Sequence, residues 1–259
     1  MTRERRELAQ QLQFFDCSIW LGKPQGFPLA DELLPETLAS TLSDRFITGG
    51  LVSHWHGNTI SAQDVNTAVI QGIDGRDNLS AIWTGLPLFP EEDGELPGCV
   101  EPPSCVKGVR IFPKSHGLPL EHWSVGTLCD WLAKRNMPLL VWHTEVDWQS
   151  LYRLAERFCN LKIVLETQPR KILYHTRPLF ALMRDCANVL VEISNFVGAG
   201  FIEYAVSNFG AQRLLFGSFL PVNDPLVSIG MLLDAEISHA DKAAIAGGNL
   251  RQLLSEVQS

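Results

Sequence analysis

Eight short apolar runs punctuate the chain: Phe15 to Leu21, Leu51 to Trp55, Leu79 to Trp83, Val106 to Phe112, Leu139 to His143, Leu161 to Leu165, Val189 to Ile193 and Leu214 to Gly217. Runs this short and this continuously apolar fit strands buried on both faces, as in a parallel sheet covered by helices. Between them lie longer stretches with apolar residues at helical spacing. They run from Ser61 to about Gly72, Ser124 to Arg135, Asp147 to Phe158, Pro178 to Cys186, Ala199 to Phe209 and Pro225 to Ala235. Asp147 is placed to cap its helix. A last helical pattern starts at Ser238 and is interrupted at Gly247 and Gly248.

Eight strand–helix units in 259 residues allow about 32 residues each, which predicts an α/β fold, a single (β/α)8 TIM barrel over residues 1–259. A doubly wound open sheet is the alternative, but no GxGxxG follows the first run. Residues 23–46 read as an elaborated loop after the first strand. Leu86 to Ser104, rich in Pro, Gly and acidic residues, reads as a long loop with a short helix.

Composition then narrows the partners. A net charge of −8 argues against a general nucleic-acid binder while leaving room for a local cationic pocket for an acidic metabolite. No apolar run approaches the roughly 18 residues of a membrane helix, and the polar start MTRERRELAQQLQ lacks the apolar stretch of a signal peptide. The six cysteines are scattered and form no CxxC, so buried free thiols and a cytoplasmic location are expected. A homodimer is a further expectation, on the general ground that barrel enzymes often pair.

In a barrel, chemistry collects where the strands end. Alternation in Asp16-Cys17-Ser18-Ile19-Trp20 puts Ser18 and Trp20 on one face and turns Cys17, a packing residue, away. His54 and His56 form an HxH pair suited to a metal, an anion or packing. Val109 and Ile111 fit the helix side, which turns Arg110 inward. There it needs an anionic partner, either a substrate carboxylate or an internal one such as Glu192. His143 shares parity with Leu139, Val141 and Glu145 and suits a general base, a metal ligand or a rim cap. Glu166 and Glu192, at the ends of the sixth and seventh strands, are acid–base candidates or partners for Arg110. His116 and Glu145 join His54 and His56 as mouth residues.

Several segments carry a family likeness: PLLVWHT at 138–144, NLKIVLET at 160–167, NVLVEIS at 188–194, GAQRLLFGSFLP at 210–221 and AIAGGNLRQLL at 244–254. From Phe15 to Leu254 the chain resembles the amidohydrolase-related branch of the amidohydrolase superfamily. That branch contains aminocarboxymuconate semialdehyde decarboxylase and pyrone dicarboxylate lactonase. The resemblance implies a metal-dependent-hydrolase-like barrel with its site at the mouth. It also exposes departures. The family's strand-one HxH falls on Ser18 and Trp20, its strand-six histidine on Thr167 and its strand-eight aspartate on Phe219, which leaves His143 alone. A catalytic zinc needs about three protein ligands.

Three readings follow. In the first, a metal-independent hydrolase or lyase acts on a small anionic substrate. His143 is its base, Arg110 its anion-binding group and Glu166 or Glu145 an assistant, while Ser18, Trp20, His54, His56, His116 and Glu192 contribute to binding. It needs no cofactor, and replacing Arg110 and His143 together should abolish turnover without unfolding the barrel. In the second, His54, His56 and His143 rebuild a zinc site elsewhere. In the third, the barrel binds a metabolite or a partner without catalysis, and an aromatic-filled site would favour it.

Overall fold

A computed structural model describes residues 2–86 and 101–258. Its centre is one eight-stranded parallel sheet in the order β1 to β8: Phe14–Leu21, Ile47–His54, Leu79–Thr84, Val106–Arg110, Leu139–Trp142, Ile163–Glu166, Val189–Glu192 and Leu214–Leu215. The ring closes where the Cys17 amide donates to the Phe216 carbonyl (3.0 Å) and the Trp20 amide to that of Leu220 (2.9 Å). Asp16 staples the same seam, its carboxylate accepting from the amides of Ser18 (2.8 Å) and Ser218 (3.0 Å) and from the Ser218 hydroxyl. This is the expected TIM barrel.

Ten helices surround the ring among the described residues: α1 Arg3–Leu12, α2 Pro35–Asp44, α3 Ala62–Ile73, α4 His122–Lys134, α5 Trp148–Arg157, α6 Thr176–Asp185, α7 Phe201–Phe209, α8 Pro225–Asp234, α9 His239–Ala243 and α10 Asn249–Ser255. Asp147 caps α5 as expected, accepting from the Ser150 amide at 2.9 Å. Helices α1 and α2 escape the periodicity because each buries only two residues, Ala9 with Leu12 and Leu38 with Leu42. Residues 23–46 therefore hold a regular helix as well as a loop. The final pattern is not broken at Gly247 and Gly248 but widens into a π-turn, Ala244–Gly248, between α9 and α10. A Cβ at Gly247 would lie 2.9 Å from that of Phe15, so glycine lets this turn press against β1. The long loop expected between Leu86 and Ser104 lies, but for its ends, outside the described residues.

Strand alternation sorts the side chains as the sequence predicts. Val109, Leu139, Val141, Ile163, Leu165, Val189 and Val191 face the helices and merge with their apolar stripes. Inside the barrel three layers stack. The lowest is apolar, with Leu51, Ile82, Leu140, Val164, Leu190 and Leu215 closed from below by Leu250, Leu253 and Leu254 of α10. Cys17 belongs to this layer, because an irregularity in the β1–β2 register between Asp16 and Ile19 breaks the strict alternation. The middle layer is polar and the upper one aromatic. Five cysteines are free among the described residues, and Cys159 is exposed rather than buried. No helix there is long and apolar enough to cross a membrane.

Candidate functional site

Arg110, Glu166, Glu192, Ser18 and Ser53 form the middle layer, each buried. Arg110 grips Glu166 with both ends of its guanidinium, Nη2 to Oε1 at 2.5 Å and Nε to Oε2 at 2.9 Å, and Nη1 donates to the Ser53 hydroxyl. The partner that a buried arginine requires is thus Glu166, rather than Glu192 or a ligand. Burial pushes the Glu166 carboxyl above the ordinary range, and the charge and hydrogen bonds of Arg110 oppose the shift. Glu192 stands next to this pair, without an ion pair of its own among the described residues. It accepts from the Thr167 amide (3.1 Å) and hydroxyl (3.2 Å) and from the Ser194 amide. Burial first, and the Glu166 charge second, push its carboxyl up to about 8. Asp16, also desolvated, rises to about 6.

An aromatic layer roofs this polar chamber. Trp20, Trp55, Phe112, Trp142 and Phe219 pack ring on ring, with Trp20 at 4.9 Å from Trp142 and 5.1 Å from Trp55. The Arg110 guanidinium lies 4.0 Å below the Trp20 ring, a cation–π contact, and the Trp20 indole N–H donates to the Ser18 hydroxyl at 3.0 Å. Trp142, at the last position of β5, takes the inward site, since Leu139 and Val141, whose parity His143 shares, face the helices. The strand ends there, and His143 departs into the turn beyond.

Above the roof opens a cleft of about 850 Å3, within the range of small-molecule sites. Two of the expected site residues line it, His143 and Glu145. His143 is buried, its ring set against the backbone of Glu166 and Gln168, but neither ring nitrogen makes a well-formed hydrogen bond among the described residues. Burial holds its imidazole down at about 4, so it is neutral at pH 7. Its ring meets that of His175 at 5.6 Å. Glu145 is spent on the loop after β4, accepting from the amide and hydroxyl of Ser115, both at 2.8 Å.

The remaining expected residues lie elsewhere. Arg110, Glu166, Glu192, Ser18 and Trp20 are beneath or within the roof. His54 accepts the His56 amide on Nδ1 at 3.2 Å, and burial lowers its pKa. His116 packs on Phe112 at 5.6 Å, outside the cleft lining, and burial lowers its pKa too. His54, His56 and His143 do not converge; among the described residues no three His, Cys, Asp or Glu side chains are grouped to hold a metal ion.

The cleft also recruits residues that sequence reasoning missed. The indole nitrogens of Trp55 and Trp142 and Oδ1 of Asn58 are buried without partners among the described residues, and all three side chains line the cleft. So do Lys114, Arg170 and Lys171, none of which forms an ion pair with another described residue. A signal existed for the last two: adjacent cations just past the sixth strand, where a barrel places its mouth. Nothing in the sequence distinguished these tryptophans from core residues.

No family model matches the chain, and no curated protein matches it by sequence. Solved structures match by shape. A 2,6-dihydroxybenzoate decarboxylase, solved with 2,6-dihydroxybenzoate, superposes with a TM-score of 0.70 at 14% identity, over 93% of this chain and 98% of that one. Amidohydrolase 2 from Bifidobacterium longum subsp. infantis gives 0.67 at 13%, over 93% and 98%. A zinc-bound amidohydrolase from Burkholderia multivorans gives 0.66 at 15%, over 93% and 99%. The chain shares the TIM-barrel fold of these proteins. The donors at its mouth do not fit the metal such barrels imply. The Ser18 hydroxyl takes the Trp20 N–H, the Thr167 hydroxyl serves Glu192, and the rings of Trp20 and Phe219 fill the space, leaving His143 by itself.

Proposed function

We propose that this amidohydrolase-related barrel binds a small organic anion in its mouth cleft, and does so without a metal-activated water. The observation that carries this reading is the concentration of unpaired buried polar atoms there. Of ten such atoms among the described residues, five belong to Trp55, Asn58, Trp142 and His143, which line one cleft. A buried polar atom without a partner is costly, so a cluster of them marks a ligand site: the two indole N–H groups and the imidazole N–H call for an acceptor, and Asn58 Oδ1 and the other ring nitrogen for a donor. Two indole N–H groups, a neutral imidazole and three cations suit a carboxylate, and the flanking rings of Phe27, Trp148 and Tyr174 suit a flat body. One of the structural neighbours holds an anion of that kind, 2,6-dihydroxybenzoate.

A second reading, metal-independent hydrolysis or decarboxylation of the same anion, is supported by His143. It is the cleft's buried, unpaired and neutral base. Arg110 and Glu166 do not support it, since they bind each other beneath the roof. Titration of the apo and zinc-supplemented protein with 2,6-dihydroxybenzoate, read by tryptophan fluorescence and followed by product analysis, tests both. Saturable quenching without turnover is expected. No saturation at millimolar ligand removes the binding reading. Turnover that survives chelation and is lost in His143→Ala replaces it with the enzymatic one, and turnover that needs zinc overturns metal independence.

A further inference from the structure

Resting on that reading of the cleft, we propose that Thr167 and Asn195 are positioning residues that clasp the strand-β6 exit and hold Arg170 and Lys171 at the anion site. The Asn195 amide donates to the Thr167 hydroxyl at 3.0 Å, while its side-chain Nδ2 donates to the carbonyls of Thr167 (3.0 Å) and Arg170 (2.7 Å). The Thr167 hydroxyl in turn donates to Glu192 at 3.2 Å, and the Thr167 amide to the same oxygen at 3.1 Å. The loop that carries the cations is thereby tied to the end of β7 and to the buried layer below. Thr167, Glu192 and Asn195 are all buried, whereas Arg170 and Lys171 are exposed.

The clasp has a use that packing alone does not require. Arg170 and Lys171 follow β6 by four and five residues, and neither side chain is held by a described carboxylate. An untied loop would average both charges over solvent, and long-range attraction falls off within a Debye length of about 10 Å. Fixing the backbone of Arg170 through its carbonyl keeps the pair beside Trp142 and His143 before any ligand arrives, which lowers the ordering cost of binding. Position 167, where the resemblance places a metal-binding histidine, thus carries the hydroxyl that anchors an anion-binding loop.

The test compares wild type with Thr167→Val, Thr167→Ser and Asn195→Ala. It uses hydrogen–deuterium exchange over residues 167–172 and the salt dependence of 2,6-dihydroxybenzoate affinity. Thr167→Val and Asn195→Ala should speed exchange in that segment, weaken binding about tenfold and flatten the plot of log Kd against log salt. Thr167→Ser, which keeps the hydroxyl, should restore all three. A merely structural residue would not change the salt slope. Unchanged exchange in a folded Thr167→Val or Asn195→Ala protein overturns the clasp. Faster exchange with the affinity and slope unaltered overturns its role at the cleft. Absence of binding by the wild-type protein instead removes the reading of the cleft, and is recognised before any variant is made. If Thr167→Val does not fold, Asn195→Ala alone decides.

Discussion

Replacing Glu192 with glutamine should flatten the alkaline limb of this protein's stability. Glu192 is fully buried beside the arginine-bound Glu166, and its carboxyl is raised from 4.5 to about 8. The folded chain therefore keeps a proton that the unfolded chain has already released above pH 4.5. Because the folded-state pKa is the higher one, this contribution is complete below about pH 4.5 and is lost as pH rises through about 8. Each pH unit between those limits removes about 1.4 kcal/mol, so moving from pH 6 to pH 9 removes about 3 kcal/mol. Asp16 acts with the same sign lower down, between 3.8 and about 6, and its share is largely gone at the start of this window. In a chain of this size, 3 kcal/mol corresponds to roughly 8 °C in Tm. The assay is thermal unfolding by circular dichroism from pH 6 to 9 for wild type and Glu192→Gln. Glutamine stays neutral; its carbonyl accepts the Ser194 amide as Oε1 does now, while its NH2 faces the Thr167 amide that Oε2 now accepts, a loss that lowers Tm at every pH without tilting the curve. The wild-type Tm should fall across the window while that of the variant stays nearly level. Parallel curves would show that Glu192 is ionised throughout, and the account of the polar chamber would fail.

Three further outcomes are expected. Arg110→Ala should cost about 3–5 kcal/mol in urea unfolding, because it strands the buried Glu166 carboxylate; a change below 1 kcal/mol would return Arg110 to the ligand-binding role. Trp55→Phe and Trp142→Phe each remove one unpaired indole N–H together with part of a buried, packed ring, so each should lower Tm by a few degrees and, in calorimetric titration of the folded variant, weaken anion binding about tenfold. Binding should be independent of His143 charge from pH 5.5 to 8, since burial holds this imidazole down at about 4; an NMR titration of its ring protons with a midpoint near 6.5 would contradict that.

The correction to Arg110 shows where sequence reasoning stops. Alternation in β4 turned it inward correctly, and the demand for an anionic partner was sound. Which anion answered depended on strand β6 lying opposite at bonding distance, a matter of barrel closure. The expectation that Arg110 and His143 could be replaced together without unfolding the barrel now carries the stability cost of stranding Glu166. His143 reached the mouth as expected, but by leaving the strand, whose last inward place belongs to Trp142. The cation pair Arg170–Lys171 stood in plain view, yet its meaning depended on Asn195, a residue of another loop.

Strand-length apolar runs recurring with helical stripes were enough to specify the barrel. Burial on both faces and the periods of 2 and 3.6 are local properties of a chain. The motif departures at Ser18, Trp20, Thr167 and Phe219 were equally local and led to the expectation of an altered site. The stacking of apolar, charged and aromatic layers, and the choice of Glu166 as partner for Arg110, were decided in three dimensions. Those features come from side chains on different strands meeting at a common height, set by register and closure, and no single stretch of sequence contains that distance.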